Sequence, residues 1–262
     1  MTEVLVRLGH GGDAAAIVST IREGFATHIL ERVVYGCFGA EDFVAGTIEG
    51  APLAAPRFLV ADSGADGLIA VAEVTSAGSD LFLSYIATKP AARGRGVGAR
   101  LLAAAIADGL DRGAETLTLD VFEANERALA WYRALGMTTI GERGWWDGGR
   151  PSPGITDAAI FGLPQARLCQ QAFGFAEFTV ATRDGSFRIG QLGSRFFRVT
   201  DPAALGARGL LGALAALDSS RELMVMGPID GELSPAGTLV LRSLRLRGAL
   251  AELKGHLSGA NR

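Results

Sequence analysis

Cysteine is nearly absent from this chain of 262 residues: Cys37 and Cys169 are the only thiols. Two cannot build a disulfide scaffold, and their spacing fits no metal-ligand pattern, so no metal is expected. No run reaches 18 consecutive apolar residues, which excludes a membrane-spanning helix and leaves no membrane partner to expect. The opening Met1 to Leu8 carries Glu3 and lacks the basic and long apolar regions of a signal peptide, so the expected compartment is the cytoplasm. A positive excess is also missing. The 25 Lys and Arg against 28 Asp and Glu give a net charge of -3 and a pI near 5.7. Phosphate-backbone binding needs clustered cations, and only Arg242, Arg245 and Arg247 come close, so nucleic acid is not expected as a partner.

What is abundant is glycine, 36 residues, about twice the usual share. A hydrophobic fraction of 48% with 20% charged residues is that of a packed globular chain, not a disordered one. At roughly 150 residues per domain, the length lies between one domain and two.

Alternation and helical spacing divide the chain. Glu3 to Leu8 reads as a strand, and Asp13 as the cap of a helix with Ala14, Ile17, Ile21 and Phe25 on one face. A short helix is expected near Ala40 to Thr47. Strands follow at Arg57 to Ala61, Leu68 to Thr75 and Leu81 to Thr88. Gly98 to Leu110 has helical period, Leu117 to Val121 alternates, and Asn125 to Leu135 is a helix closed by Gly136. Met137 to Glu142 and Thr156 to Leu163 read as two more strands, with Trp145 and Trp146 in the loop between them and Pro164 as the stop. Beyond it, Phe175 to Thr182 and Phe187 to Leu192 flank the hairpin signal Asp184-Gly185. A strand at Arg195 to Thr200, a helix opened by Asp201-Pro202, and strands at Leu223 to Met226 and Leu239 to Leu246 complete the pattern.

Arg93-Gly94-Arg95-Gly96-Val97-Gly98 lies between an apolar strand and an amphipathic helix. Glycines there let successive backbone N–H groups face inward as an anion nest, and the following helix adds the partial positive charge of its N-terminus. No Gly-Lys-Ser/Thr follows, so it is not a Walker A loop, and one-residue glycine spacing differs from the dinucleotide fingerprint. A kinase or nucleotidase would also need a Lys after the loop, and Lys89 precedes it.

Arg93-x-x-Gly96-x-Gly98 after Ile86 to Pro90, with Asn125 and Trp131-Tyr132-Arg133-Ala134-Leu135-Gly136-Met137 downstream, resembles the GNAT superfamily of acyl-CoA-dependent N-acetyltransferases. The resemblance covers residues 1 to about 165. It implies a mixed α/β (α+β) fold with a mostly antiparallel central sheet flanked by helices. It also implies acetyl-CoA as cosubstrate. Ile86, Ala87 and Thr88 would pair with the pantetheine arm and polarise the acetyl carbonyl. Arg93, Gly94, Arg95, Gly96, Val97 and Gly98 would hold the pyrophosphate, Asn125 would bind the cofactor arm, and Tyr132 would protonate the departing thiolate. No position for the base carries over. Glu73, on the preceding strand, is the first candidate, and His28 a second; each has an ordinary structural role as its alternative. Trp145 and Trp146 would wall an acceptor pocket, stack on an acceptor cation or plug the space between domains, and Asp147 would pair with an amine or be an ordinary exposed loop aspartate.

Residues 166 to 262 form the expected second domain, a smaller α/β lobe. Pro202-Ala203-Ala204-Leu205-Gly206 echoes Pro90-Ala91-Ala92-Arg93-Gly94, which suggests a shortened copy of the same fold. Aligned on the prolines, Arg93, Gly96 and Gly98 become Leu205, Arg208 and Leu210, so a cofactor site is not expected there. The expected function is transfer of an acetyl group from acetyl-CoA to a primary amine of a small molecule or protein. The alternative is a non-catalytic acyl-CoA sensor or interaction module. Acceptor identity, acyl length and homodimerisation stay open.

Overall fold

A computed structural model describes residues 4–50, 55–154, 157–229 and 237–259. Glu3 and Thr156, expected to open strands, lie outside them. Strand β1 (Leu5–Leu8) precedes α1 (Ala14–Gly24), whose Ile17, Val18 and Ile21 are fully buried along one helical face. Short helix α2 (Thr27–Leu30) and helix α3 (Ala40–Gly50) lead to an antiparallel meander of β2 (Arg57–Asp62), β3 (Leu68–Ala77) and β4 (Asp80–Thr88). Helix α4 (Val97–Asp111) crosses over to β5 (Thr116–Phe122), which runs parallel to β4. Next come α5 (Glu126–Ala134) and β6 (Thr138–Asp147).

The second half begins with β7 (Ala159–Phe161), α6 (Leu163–Phe173), β8 (Phe175–Thr182), β9 (Gly185–Leu192) and β10 (Phe196–Val199). It continues with α7 (Arg208–Leu217), β11 (Glu222–Pro228), β12 (Thr238–Ala249) and α8 (Leu250–Gly259). The mixed, mostly antiparallel α/β class expected from sequence is the class observed.

Packing gathers the described residues into two units, one from 1–30, 40–140 and 244–262, the other from 31–39 and 141–243. In the first the strand order is β1-β2-β3-β4-β5-β12, and in the second β7-β8-β9-β10-β11-β6. In each unit the last strand of this order is remote in sequence from the strand it lies against: β12 beside β5, and β6 beside β11. The compact units do not follow the boundary at residue 165. Leu244, Leu246, Leu250, Leu253 and Leu257 are buried in one core with Leu101, Leu117 and Tyr132, and residues 141–165 pack with the second unit. Alternation marks a strand's buried face but not the sheet that it joins.

Three local expectations are corrected. Pro164 does not end a region; it sits in the first turn of α6, where its missing N–H has no partner to lose. Trp145 and Trp146 are not in a loop but on β6, opposite Met226 and Val225 of β11, and both are buried. Asp13 does not cap α1 with its side chain, which turns back to Arg7 and the His10 N–H. Helix α8 had no counterpart in the sequence reading.

The proline echo is also topological. In the first unit β4, a 3₁₀ turn at Pro90–Ala92 and α4 lead to parallel β5; in the second β10, a 3₁₀ turn at Pro202–Leu205 and α7 lead to parallel β11.

Candidate functional site

A register change in the first unit creates the site. Glu73 pairs with Tyr85 and Val74 with Leu83, so Ser84 is an extra residue on β4, a β-bulge. Pairing of β4 with β5 runs from Asp80↔Thr116 to Leu83↔Leu119 and stops there. Past the bulge the strands part, and the Tyr85 to Thr88 segment pairs only with β3. Pleated strands that separate leave backbone donors and acceptors facing the gap, where an extended ligand can pair with them.

The loop that follows is built for an anion. Gly94 and Gly96 have φ of +77° and +73°, which L side chains rarely adopt, and Gly96 immediately precedes α4. The Arg100 N–H bonds to the Gly96 carbonyl at 3.1 Å, so the helical ladder starts there. The preceding N–H groups of Val97, Gly98 and Ala99 stand at the open end of a fifteen-residue helix. Arg93 braces the loop: its Nε donates to the Thr88 carbonyl at 3.1 Å.

These parts surround a cleft of about 540 Å³. Its walls include Ile86, Ala87, Thr88, Arg93, Gly94, Gly96, Val97, Gly98, Asn125 and Tyr132, all candidates from sequence. They also include Gly24, Ala92, Ala99, Arg127, Ala128 and Trp131, which the sequence reading gives no site role. No carboxylate is among them, whereas Arg93 and Arg127 are, so the lining favours an anionic ligand. Helical spacing from Ala128 to Tyr132 and from Arg127 to Trp131 was the available signal for the α5 wall. Nothing local marks Gly24, where a Cβ would lie 2.8 Å from that of Ala87.

Asn125 also serves its own helix, because its Oδ1 accepts the Ala128 N–H at 3.2 Å and caps α5. That leaves its amide NH₂ as the donor for a ligand. Tyr132 is buried at 4% exposure yet lines the cleft, with its ring 4.9 Å from that of Trp131. Burial raises its phenol well above the ordinary value of 10.0, so it stays a protonated donor at neutral pH.

Three candidates lie elsewhere. Arg95 has an exposed side chain outside the lining. Glu73 is buried on β3; Ala72 and Val74 beside it join the core with α4, so Glu73 faces the opposite side, where α1 packs. His28 is exposed on α2 and is not among the lining residues. In the second unit Asp147 forms an ion pair with Arg32 at 2.9 Å.

The bulge, the splayed strands and the glycine loop at the N-terminus of α4 define an α/β domain with an open cleft that favours an anion. Residues 25–137 match the model of the Acetyltransferase (GNAT) family, and this stretch is a GNAT acetyltransferase domain. Over 80 residues the chain is 34% identical to thialysine N-epsilon-acetyltransferase from Bos taurus, a match covering 30% of this chain and 47% of that protein. The chain therefore spans about half the length of the curated relative it matches.

In fold it is similar to a tandem GNAT protein from the clavulanic acid biosynthesis pathway, with TM-score 0.66 and 15% identity over 95% of this chain and 99% of the other. A GCN5-related N-acetyltransferase from Sphaerobacter thermophilus gives TM-score 0.64 and 14% identity over 94% and 96%. Family members use acetyl-CoA; at these identities the structural likeness concerns the fold.

Proposed function

We propose that the protein transfers an acetyl group from acetyl-CoA to a primary amine by direct attack, using the first unit, while the second unit is a silent copy. The observation that carries this reading is the meeting, in one cleft, of the splayed β4 edge, the Gly94–Gly96 nest and the Tyr132 phenol. The pantetheine arm lies along Ile86 to Thr88, the pyrophosphate on the N–H groups of Gly94 to Gly98, and the Asn125 amide donates to the arm. Arg95 contributes through its backbone.

The neutral amine nitrogen attacks the thioester carbonyl carbon, and the developing oxyanion is met by a β4 backbone N–H. The C–S bond then breaks, Tyr132 gives its proton to the thiolate, and the amine loses its proton through water toward Glu73. Glu73 lies on the face of the sheet opposite α4 and outside the cleft lining, so its part is played through water.

The test is thiol release from acetyl-CoA with a panel of polyamines, amino acids, aminosugars and a peptide N-terminus. Turnover with at least one amine is expected. Tyr132→Phe should lower kcat about 100-fold and leave KM for acetyl-CoA within about twofold. CoA binding without turnover on any amine would favour the sensor instead.

A further inference from the structure

Helix α8 reaches the candidate acid from the far end of the chain. Its Leu253 and Leu257 are buried, at 1% and 4% exposure, in the core that also holds Tyr132, Leu135 and Met137. Between them, His256 Nδ1 lies 2.7 Å from the Leu135 carbonyl oxygen. A carbonyl can only accept, so Nδ1 carries the proton, and the bond satisfies one of the carbonyls left over at the end of α5.

The imidazole lies close against the turn that follows α5. Gly136 has φ +89°, and a Cβ on it would stand 3.0 Å from His256 Cε1. The same turn grips Tyr132: the N–H groups of Leu135 and Met137 both donate to the Tyr132 carbonyl, at 3.2 and 3.1 Å. Holding the Leu135 carbonyl therefore holds the peptide that carries the phenol.

We propose that His256 is a positioning residue for Tyr132, acting through the end of α5; this rests on the reading of Tyr132 as the acid. A segment some 120 residues downstream thereby sets the place of a hydroxyl in the cleft. Displacements of about 1 Å in an acid's position are enough to slow proton transfer without altering cosubstrate binding.

A double-mutant cycle in the full chain tests it, with kcat measured on the amine of the panel that turns over fastest. His256→Ala should lower kcat about tenfold when Tyr132 is present, and less than about twofold in the Tyr132→Phe background, where no hydroxyl remains to misplace. KM for acetyl-CoA should stay unchanged, and His256→Gln, which keeps a donor, should recover most of the rate. Equal losses in both backgrounds, or no loss with Tyr132 present, overturn the proposal. Thermal melting accompanies each variant, and if the alanine variant is unfolded, His256→Asn, whose shorter amide falls short of the carbonyl, replaces it in the cycle. Full activity of Tyr132→Phe alone refutes the acid assignment instead, a separate failure.

Discussion

Gly96 combines two features at one residue: a left-handed φ and a place in the cleft wall. The space around it would admit a methyl group, since no atom lies within 4 Å of a built Cβ, so the strain is conformational alone. Gly96→Ala should cost about 1–2 kcal/mol in stability. It should also weaken CoA binding at least about tenfold by rotating the nest, measured by calorimetry beside urea unfolding. A second residue-scale test concerns the ion pairs near β1. Arg7 bonds Asp13 at 2.6 and 3.0 Å and Asp62 at 3.0 Å. Asp13 is held below its ordinary 3.8 chiefly by Arg7, and Asp62 chiefly by the Gly64 N–H and then Arg7. Lowered carboxylate values stabilise fully above the ordinary value and fade as pH falls through the folded-state values. Asp13→Asn should therefore cost about 2 kcal/mol at pH 7 and progressively less below about pH 4, by urea unfolding at both ends of the range. In the sequence, Asp13 before an apolar helix face had the look of a cap; its stronger partner was a cation six residues earlier, which cap patterns do not register.

Helix α8 joins the first unit's core through Leu250, Leu253 and Leu257. Leu253→Ala should destabilise the chain by about 2–5 kcal/mol, read from denaturant unfolding, because the side chain is buried on every side. CoA should protect this variant against unfolding if the first unit keeps its cleft. Most elements that shape the cleft were legible: β4, α4, β5 and α5 each carry a clean period, and the glycine loop lies where periods change. The bulge at Ser84 was not, since an extra residue in a strand is visible only against its partner. Helix α6 was hidden because Pro164 has two meanings, a stop after a strand or the first turn of a helix, and only packing of Ala166 into the core decides. Trp145 and Trp146 were hidden for a related reason. Adjacent buried residues in a strand cover both of its faces, so the apolar-polar alternation disappears.

Across the whole molecule, the two units repeat one strand order but not one binding surface. All of β10, from Phe196 to Val199, stays paired with β11, and Leu210 is fully buried where Gly98 has its counterpart in the first unit. Titration should accordingly find about one CoA per chain, since a nest requires glycine-lined backbone and the second unit has Arg208 and Leu210 where the first has Gly96 and Gly98. Two CoA per chain would refute the silent-copy reading. The echo of the prolines was visible in sequence; the crossing of segments between units was not, because it depends on which sheet β6 and β12 complete. That crossing imposes an order on biosynthesis. Residues 40–140 leave the ribosome long before residues 244–259, which pack in the same unit, with 103 residues intervening (243 minus 140). At about 5–20 residues per second, the delay is about 5–20 s. Through that interval the nascent first unit lacks β12 and α8, and its apolar α4 flank stays uncovered until α8 is made.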